Sequence, residues 1–119
     1  MENLLEKYKD KLPESYLEFI LKSKRFHGDL GKELGYVDIW DISLLSLVFD
    51  TICGSFDSMG KDWFPIGSDG GGENICIKLS SPAHELYYIH SISISDKDAV
   101  FYCDDFSKLY NAIKQFMPK

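Results

Sequence analysis

Residues 64–81, FPIGSDGGGENICIKLSS, form the stretch whose composition most invites a chemical reading. Three consecutive glycines, Gly70, Gly71 and Gly72, stand between Asp69 and Glu73. A glycine-rich loop can cradle a phosphate with backbone N–H groups, expose main chain to a partner, or turn a tight corner between strands. Phosphate binding calls for a Lys-Ser or Lys-Thr at P-loop spacing, or a helix that opens straight after the glycines. Neither follows here. The next residues, ENICIKL, alternate as a strand, and the flanking carboxylates of Asp69 and Glu73 repel a phosphate. A calcium loop built from Asp69, Glu73 and Asn74 lacks the acidic spacing of an EF-hand. The favoured reading is a turn whose positive φ angles and close backbone approach require glycine.

The other reactive side chains do not assemble into a recognised set. His27, His84 and His90 stand at no metal-ligand spacing with Cys53, Cys76 or Cys103. Cys76 and Cys103 fall within expected strands, where a thiol behaves as a small apolar group rather than a nucleophile. The carboxylate pair Asp96/Asp98 belongs to a turn, and Asp104/Asp105 to a helix cap and its neighbour. With no nucleophile–base pair and no ligand set, the expectation is a protein without enzymatic activity, metal, nucleotide or other cofactor.

Positioning these residues requires a set of elements that periodicity predicts. A short charged helix is expected over residues 2–10, with Leu4, Leu5 and Tyr8 on one side. A second opens at Pro13, whose missing N–H suits a first helical position, and carries Tyr16, Leu17, Ile20 and Lys24 at helical spacing. Phe19 and Leu21 widen its apolar stripe. RFHGDLGKELG, with three glycines, reads as a loop. YVDIWDI reads as a strand with Val37 and Ile39 on one face and Tyr36, Asp38 and Trp40 on the other. DISLLSLVF is a short helix capped by Asp41, and residues 50–62 are expected to be a loop.

WFPIG reads as a brief strand or strand edge, because Pro65 cannot donate a ladder hydrogen bond. After the glycines, Ile75, Ile77 and Leu79 share one face and Asn74, Cys76 and Lys78 the other, the pattern of a half-buried strand. ELYYIHSISI is apolar on both faces and suggests a central strand. SDKDA is a turn and VFYC a last strand. Asp104 or Asp105 then caps a final helix with Phe106, Leu109, Tyr110, Ile113, Phe116 and Met117 in one stripe. The expected class is α+β: a single domain over residues 1–119 with a mixed, largely antiparallel sheet, N-terminal helices and a C-terminal helix packed on it.

Bulk composition narrows the partners. The chain has 119 residues, and 13 Lys and Arg face 19 Asp and Glu for a net charge of −6. That balance disfavours nucleic acid or an anionic membrane and is compatible with a basic protein partner, while solubility alone explains it about as well. Three widely separated cysteines read as reduced thiols. Without an apolar stretch long enough for a signal peptide or a bilayer span, the expected location is the cytoplasm.

Four segments in order resemble the SUKH superfamily: LPESYLEFI, FPIGSDGGGENICIKL, YYIH and FYCDDFSKLYNAI. The branch most similar contains bacterial SUKH-type immunity proteins and fungal cell-wall assembly regulators. The motif-bearing positions are Leu12, Pro13 and Tyr16, then Pro65, Ile66, Gly67, Asp69, Gly70, Gly71, Gly72 and Glu73, and finally Asp105 and Phe106. They span about residues 12–117. The resemblance implies a structural role for these residues and no catalysis; whether the turn also touches a partner stays open. It implies an immunity protein that binds and neutralises a cognate polymorphic toxin, a class that often consists of nucleases, and occlusion is the expected mechanism. A regulatory scaffold that binds a host protein is the alternative.

Overall fold

Tyr16, Phe19 and Ile20 fall on one side of a helical turn, and that side sets where the first described helix packs. The computed structural model of the chain describes residues 6, 8–22, 25–53, 63–90 and 99–115, with side chains of 49–53 outside that set. Helix α1 is Glu14–Lys22 and buries Tyr16, Phe19 and Ile20. Pro13 stands one residue ahead of it, and its carbonyl accepts the N–H groups of Tyr16 and Leu17, each at 3.1 Å. Leu21, expected to widen the apolar stripe, is instead 73% exposed. Of the expected N-terminal helix, Glu6 and Tyr8 are helical and Tyr8 is buried; Leu4 and Leu5, like Lys24, lie outside the described residues.

Six strands follow, β1 (Phe26–Asp29), β2 (Tyr36–Ile39), β3 (Trp63–Ser68), β4 (Glu73–Lys78), β5 (Leu86–His90) and β6 (Val100–Cys103). They form one sheet in sequence order, and every pairing among them is antiparallel. Helix α2 (Ile42–Cys53) is inserted between β2 and β3, and α3 (Phe106–Lys114) closes the described chain. The class is therefore α+β, as the alternation of apolar positions predicts.

Several local expectations are corrected. The segment Phe26–Asp29 is a strand, not part of a glycine loop. It is held by β2 through the register Phe26↔Ile39 to Asp29↔Tyr36, so a partner strand overrides a poor local propensity. Helix α2 runs on through residues 50–53, which were expected to be loop; residues 54–62 lie outside the described set. Asp41 caps it as expected, its Oδ1 accepting the Leu44 N–H at 2.9 Å. Trp40 does not share a face with Tyr36 and Asp38. It lies past the end of β2 and is buried in the main core, while its N–H donates to the Ile66 carbonyl at 3.0 Å.

Pro65 sits third in a six-residue strand between two others, not at a sheet edge or strand start. The register explains why it is tolerated. Strand β2 pairs only Gly67 and Ser68 of β3, so the Pro65 end of the strand lies beyond its reach. A register shift between Pro65 and Gly67 also loosens the ladder with β4 there. On β4 both faces are buried over residues 74–77, so the strand is more covered than its polar-looking face predicts. The expected turn at residues 95–98 and the side chains Phe116 and Met117 lie outside the described residues.

The main core joins both terminal helices to one sheet face. Tyr16 meets Phe64 and Phe106 edge to face, with centroids 6.0 and 5.1 Å apart. Phe19 meets Phe106 and Tyr110 at 5.5 and 5.6 Å. Such edge-to-face pairs each add about 0.5–1.5 kcal/mol beyond area burial. The Tyr16 hydroxyl is fully buried and has no hydrogen-bond partner among the described residues, and burial pushes its pKa well above the usual tyrosine value.

Two stability outcomes follow from this packing. A Cβ on Gly67 would fall well inside contact distance of the Asp38 carbonyl oxygen and about the closest approach of Ile39, at 3.0 and 3.1 Å. Gly67→Ala should therefore cost more than about 2 kcal/mol by overpacking a backbone contact, the largest loss of any glycine substitution in residues 67–72. Tyr16→Phe removes an unsatisfied buried hydroxyl and should leave stability unchanged or raise it by about 1 kcal/mol. Denaturant melts check both. A Tyr16→Phe loss above about 1 kcal/mol would mean the hydroxyl has a partner in solution.

Candidate protein-binding surface

The motif residues separate into a buried group and a surface group. Leu12, Tyr16, Ile66 and Phe106 belong to the main core, and Pro65 and Gly67 are buried within β3. Pro13 and Asp105 are half-buried at helix starts. Gly70, Gly71 and Gly72 are exposed, with Asp69 and Glu73 half-buried beside them. The turn is thus the part of the motif that solvent, and hence a partner, can reach.

The turn closes through its own acid. The Asp69 N–H donates to the Glu73 carbonyl at 3.1 Å, and Asp69 Oδ1 accepts from the N–H groups of Gly71 at 2.7 Å and Glu73 at 3.2 Å. A short carboxylate that bonds the backbone two residues on is what stabilises such a turn. Gly70 and Gly72 have φ of +81° and +99°, whereas Gly71 is outside the positive region. The expectation of positive φ therefore holds at two of the three positions. The backbone N–H groups of Gly71 and Glu73 are spent on Asp69, which leaves the turn an acidic knob and not a phosphate cradle.

Tyrosines gather around this knob. The Tyr36 ring, 43% exposed, lies so close to Gly70 that a Cβ there would sit 3.0 Å from its Cε2. Tyr88 and Tyr102 lie on neighbouring strands with ring centroids 4.6 Å apart. Burial, and next the nearby Asp69 carboxylate, raise the Tyr88 pKa; burial and then Tyr88 raise that of Tyr102. The Tyr102 hydroxyl donates to the Leu34 carbonyl at 2.8 Å, which ties the β1–β2 connection to the opposite edge strand. Lys108 on α3 reaches Glu33 of the same connection at 2.6 Å. These tyrosines were not singled out in the sequence, because their grouping depends on strand register: Asp38↔Ser68 brings Tyr36 beside the turn, and Tyr88↔Val100 aligns the edge.

On the other sheet face a smaller cluster holds Trp63, Cys76 and Ile89. From it an aromatic row runs outward. The Trp63 and Tyr87 rings are 5.4 Å apart, Tyr87 and Phe101 5.7 Å, and Lys78 Nζ lies 5.9 and 5.6 Å from the first two. The row ends at Phe101, 50% exposed. Cys103 is buried, its thiol donates to the Asp105 carbonyl at 3.3 Å, and burial pushes its pKa up. Among the described residues no three His, Cys, Asp or Glu side chains converge as metal ligands, and no helix is long and apolar enough to cross a membrane.

An antiparallel sheet, helices packed against it around an aromatic junction and an acidic glycine turn are the features that the family comparison meets. The sequence pattern of the SMI1 / KNR4 family (SUKH-1) matches residues 2–112, and the chain belongs to that family. Membership supports a protein-binding role of the immunity or regulatory kind, in a family that is generally non-catalytic. No curated protein matches the chain.

The question of which aspartate caps the last helix is settled by geometry. Asp105 is the N-cap of α3, accepting the Lys108 N–H at 3.2 Å and the Ser107 hydroxyl. The Ser107 hydroxyl first, and the backbone N–H groups of Lys108 and Ser107 after it, hold its carboxyl below the usual aspartate range. A depressed folded-state pKa stabilises above the unfolded value and loses that contribution as pH falls through the folded one. Asp105→Ala should cost about 1 kcal/mol at pH 7. The cost should shrink as pH falls from about 3.9 through the lower folded-state value, where the wild-type carboxylate protonates, down to the part that a neutral cap retains. Asp105→Asn, itself a good cap, should lose less at pH 7. Urea melts at pH 7 and pH 3 compare the three; a pH-independent Asp105→Ala penalty would assign its cost to something other than the charged cap.

Proposed function

We propose that this protein is an immunity protein that binds a cognate polymorphic toxin domain of nuclease type and silences it by covering its substrate channel. The observation that carries the proposal is the acidic turn, Asp69 to Glu73, with its three glycines exposed, its two carboxylates half-buried, and Tyr36 and Tyr88 beside it. A nuclease channel is lined with cations placed to receive phosphates. Carboxylates on a preformed surface can occupy those positions without offering a cleavable bond, and tyrosine side chains beside them supply aromatic contact area at the rim. The net charge of −6 speeds encounter with a basic partner.

No bond is made or broken in this mechanism, so protection follows stoichiometry. A titration at fixed concentration of the toxin domain encoded beside this protein should reach full silencing at about one equivalent, as expected of tight one-to-one binding. The association rate should fall as salt rises while dissociation changes less. Asp69→Lys should slow association by tenfold or more. Substoichiometric inactivation would point to an enzyme. Protection against no neighbouring toxin would leave the regulatory scaffold, binding a host protein, as the function.

A further inference from the structure

Asp69 stands directly before Gly70, and no other aspartate in the chain precedes a glycine. The order matters chemically. When the nitrogen of the following residue bonds to an aspartyl Cγ, a five-membered ring closes, and the side chain of that following residue is what ordinarily obstructs it. Glycine has none, and its backbone allows the close approach. The next least obstructed pairs in the sequence are Asp57–Ser58 and Asp98–Ala99.

The fold keeps the Asp69 carboxyl over the glycine backbone. Because Oδ1 accepts the Gly71 N–H at 2.7 Å, side chain and main chain form a ring that encloses the Gly70 nitrogen. A Cβ built on Gly71 would stand 3.6 Å from that oxygen and 4.0 Å from Asp69 Cγ. The same oxygen accepts from the Glu73 N–H at 3.2 Å. Two backbone donors on one carboxyl oxygen are placed to stabilise the charge that gathers there as Cγ becomes tetrahedral. The nitrogen itself is lightly held: the Gly70 N–H donates to the Ser68 hydroxyl at 3.3 Å, beyond the usual range for such a bond. Gly70, Gly71 and Gly72 are exposed, which admits water to the site.

We infer that the Asp69–Gly70 linkage is a site of spontaneous backbone isomerisation. In the protonated acid the Gly70 nitrogen bonds to Asp69 Cγ, and its proton leaves with the carboxyl hydroxyl as one water. Water then adds to the cyclic imide at one of its two carbonyls. Addition at the former side-chain carbonyl restores aspartate. Addition at the main-chain carbonyl leaves the chain running through Cγ, an isoaspartate. No electron is gained or lost, and water is the sole co-reactant. The product lengthens the backbone by one methylene and turns the Asp69 Cγ into a peptide carbonyl carbon. The carboxylate that accepted from Gly71 and Glu73 is then gone, so the turn opens while the β3–β4 ladder behind it stays paired. The site lies on the turn that the toxin reading uses, but the chemistry needs no partner and does not depend on that reading.

The test keeps the whole protein warm at neutral pH for several weeks and maps it by proteolysis and mass spectrometry. A species one water lighter, the imide, should appear at Asp69–Gly70. An isoaspartate of unchanged mass should follow, detected by methyl transfer from an isoaspartyl methyltransferase, and this position should hold most of the isoaspartate in the chain. A capped synthetic peptide of residues 64–78 gives the rate without the fold, and the folded protein should react at no less than a tenth of that rate. Amide NMR of the aged protein should show changes confined to residues 68–74 and Tyr36, with the melting temperature lowered by no more than a few degrees. Asp69→Glu, which would need a six-membered ring, should remove the methyl label. A folded protein that stays unmodified while the peptide reacts would mean that the turn guards the bond, and would overturn the inference. So would a label that persists in Asp69→Glu, or isoaspartate concentrated at Asp57 or Asp98.

Discussion

The contact on which the rest of the molecule depends is the edge-to-face meeting of Tyr16 with Phe64 and Phe106. One ring from α1, one from β3 and one from the first position of α3 meet there, with Tyr16 in the middle, so α1 is held to β3 and α3 to α1 through the same ring. Tyr8 adds a fourth ring against Phe64 at 5.1 Å. The geometry tolerates little change, since each ring presents an edge to another's face and none can slide without losing two contacts at once. The family motifs at the start, middle and end of the chain read naturally in this light: each delivers one member of the junction.

A second constraint follows from how close the sheet strands must come. Gly67 lets the Asp38 carbonyl approach where any side chain would collide. That approach sets the β2–β3 register, which places Tyr36 against Gly70 and carries the β1–β2 connection over to Tyr102 and Lys108. The exposed turn and its tyrosines are therefore downstream of a buried glycine contact. Core and surface are coupled through register rather than through any direct chain of side chains.

Helix α3, the glycine turn and the strand after it were legible in the sequence, because their periodicity and turn chemistry are local. Phe106, Leu109, Tyr110 and Ile113 mark one helical face, and all four are buried. What escaped was set by partners far along the chain. Phe26–Asp29 looks like loop until Tyr36–Ile39 supplies its hydrogen bonds, and Pro65 looks like an edge residue until the short reach of β2 is known. Asn74 and Cys76 read as a polar face, yet Trp63 and Ile89 lie alongside the thiol and both positions are buried. The tyrosine group and the exposed ring of Phe101 belong to the same class, since exposure at an edge is a property of strand order.

Binding by a preformed surface demands that helices and sheet move as one body, and native-state amide exchange measures this directly. The amides of Tyr16–Ile20 in α1, Phe64 and Ile66 in β3, and Leu109–Ile113 in α3 should exchange through a single opening whose free energy equals that of global unfolding. Phe64→Leu should lower that value equally in all three elements. An α3 that opens separately, at a free energy well below the sheet's and unaffected by Phe64→Leu, would contradict the account.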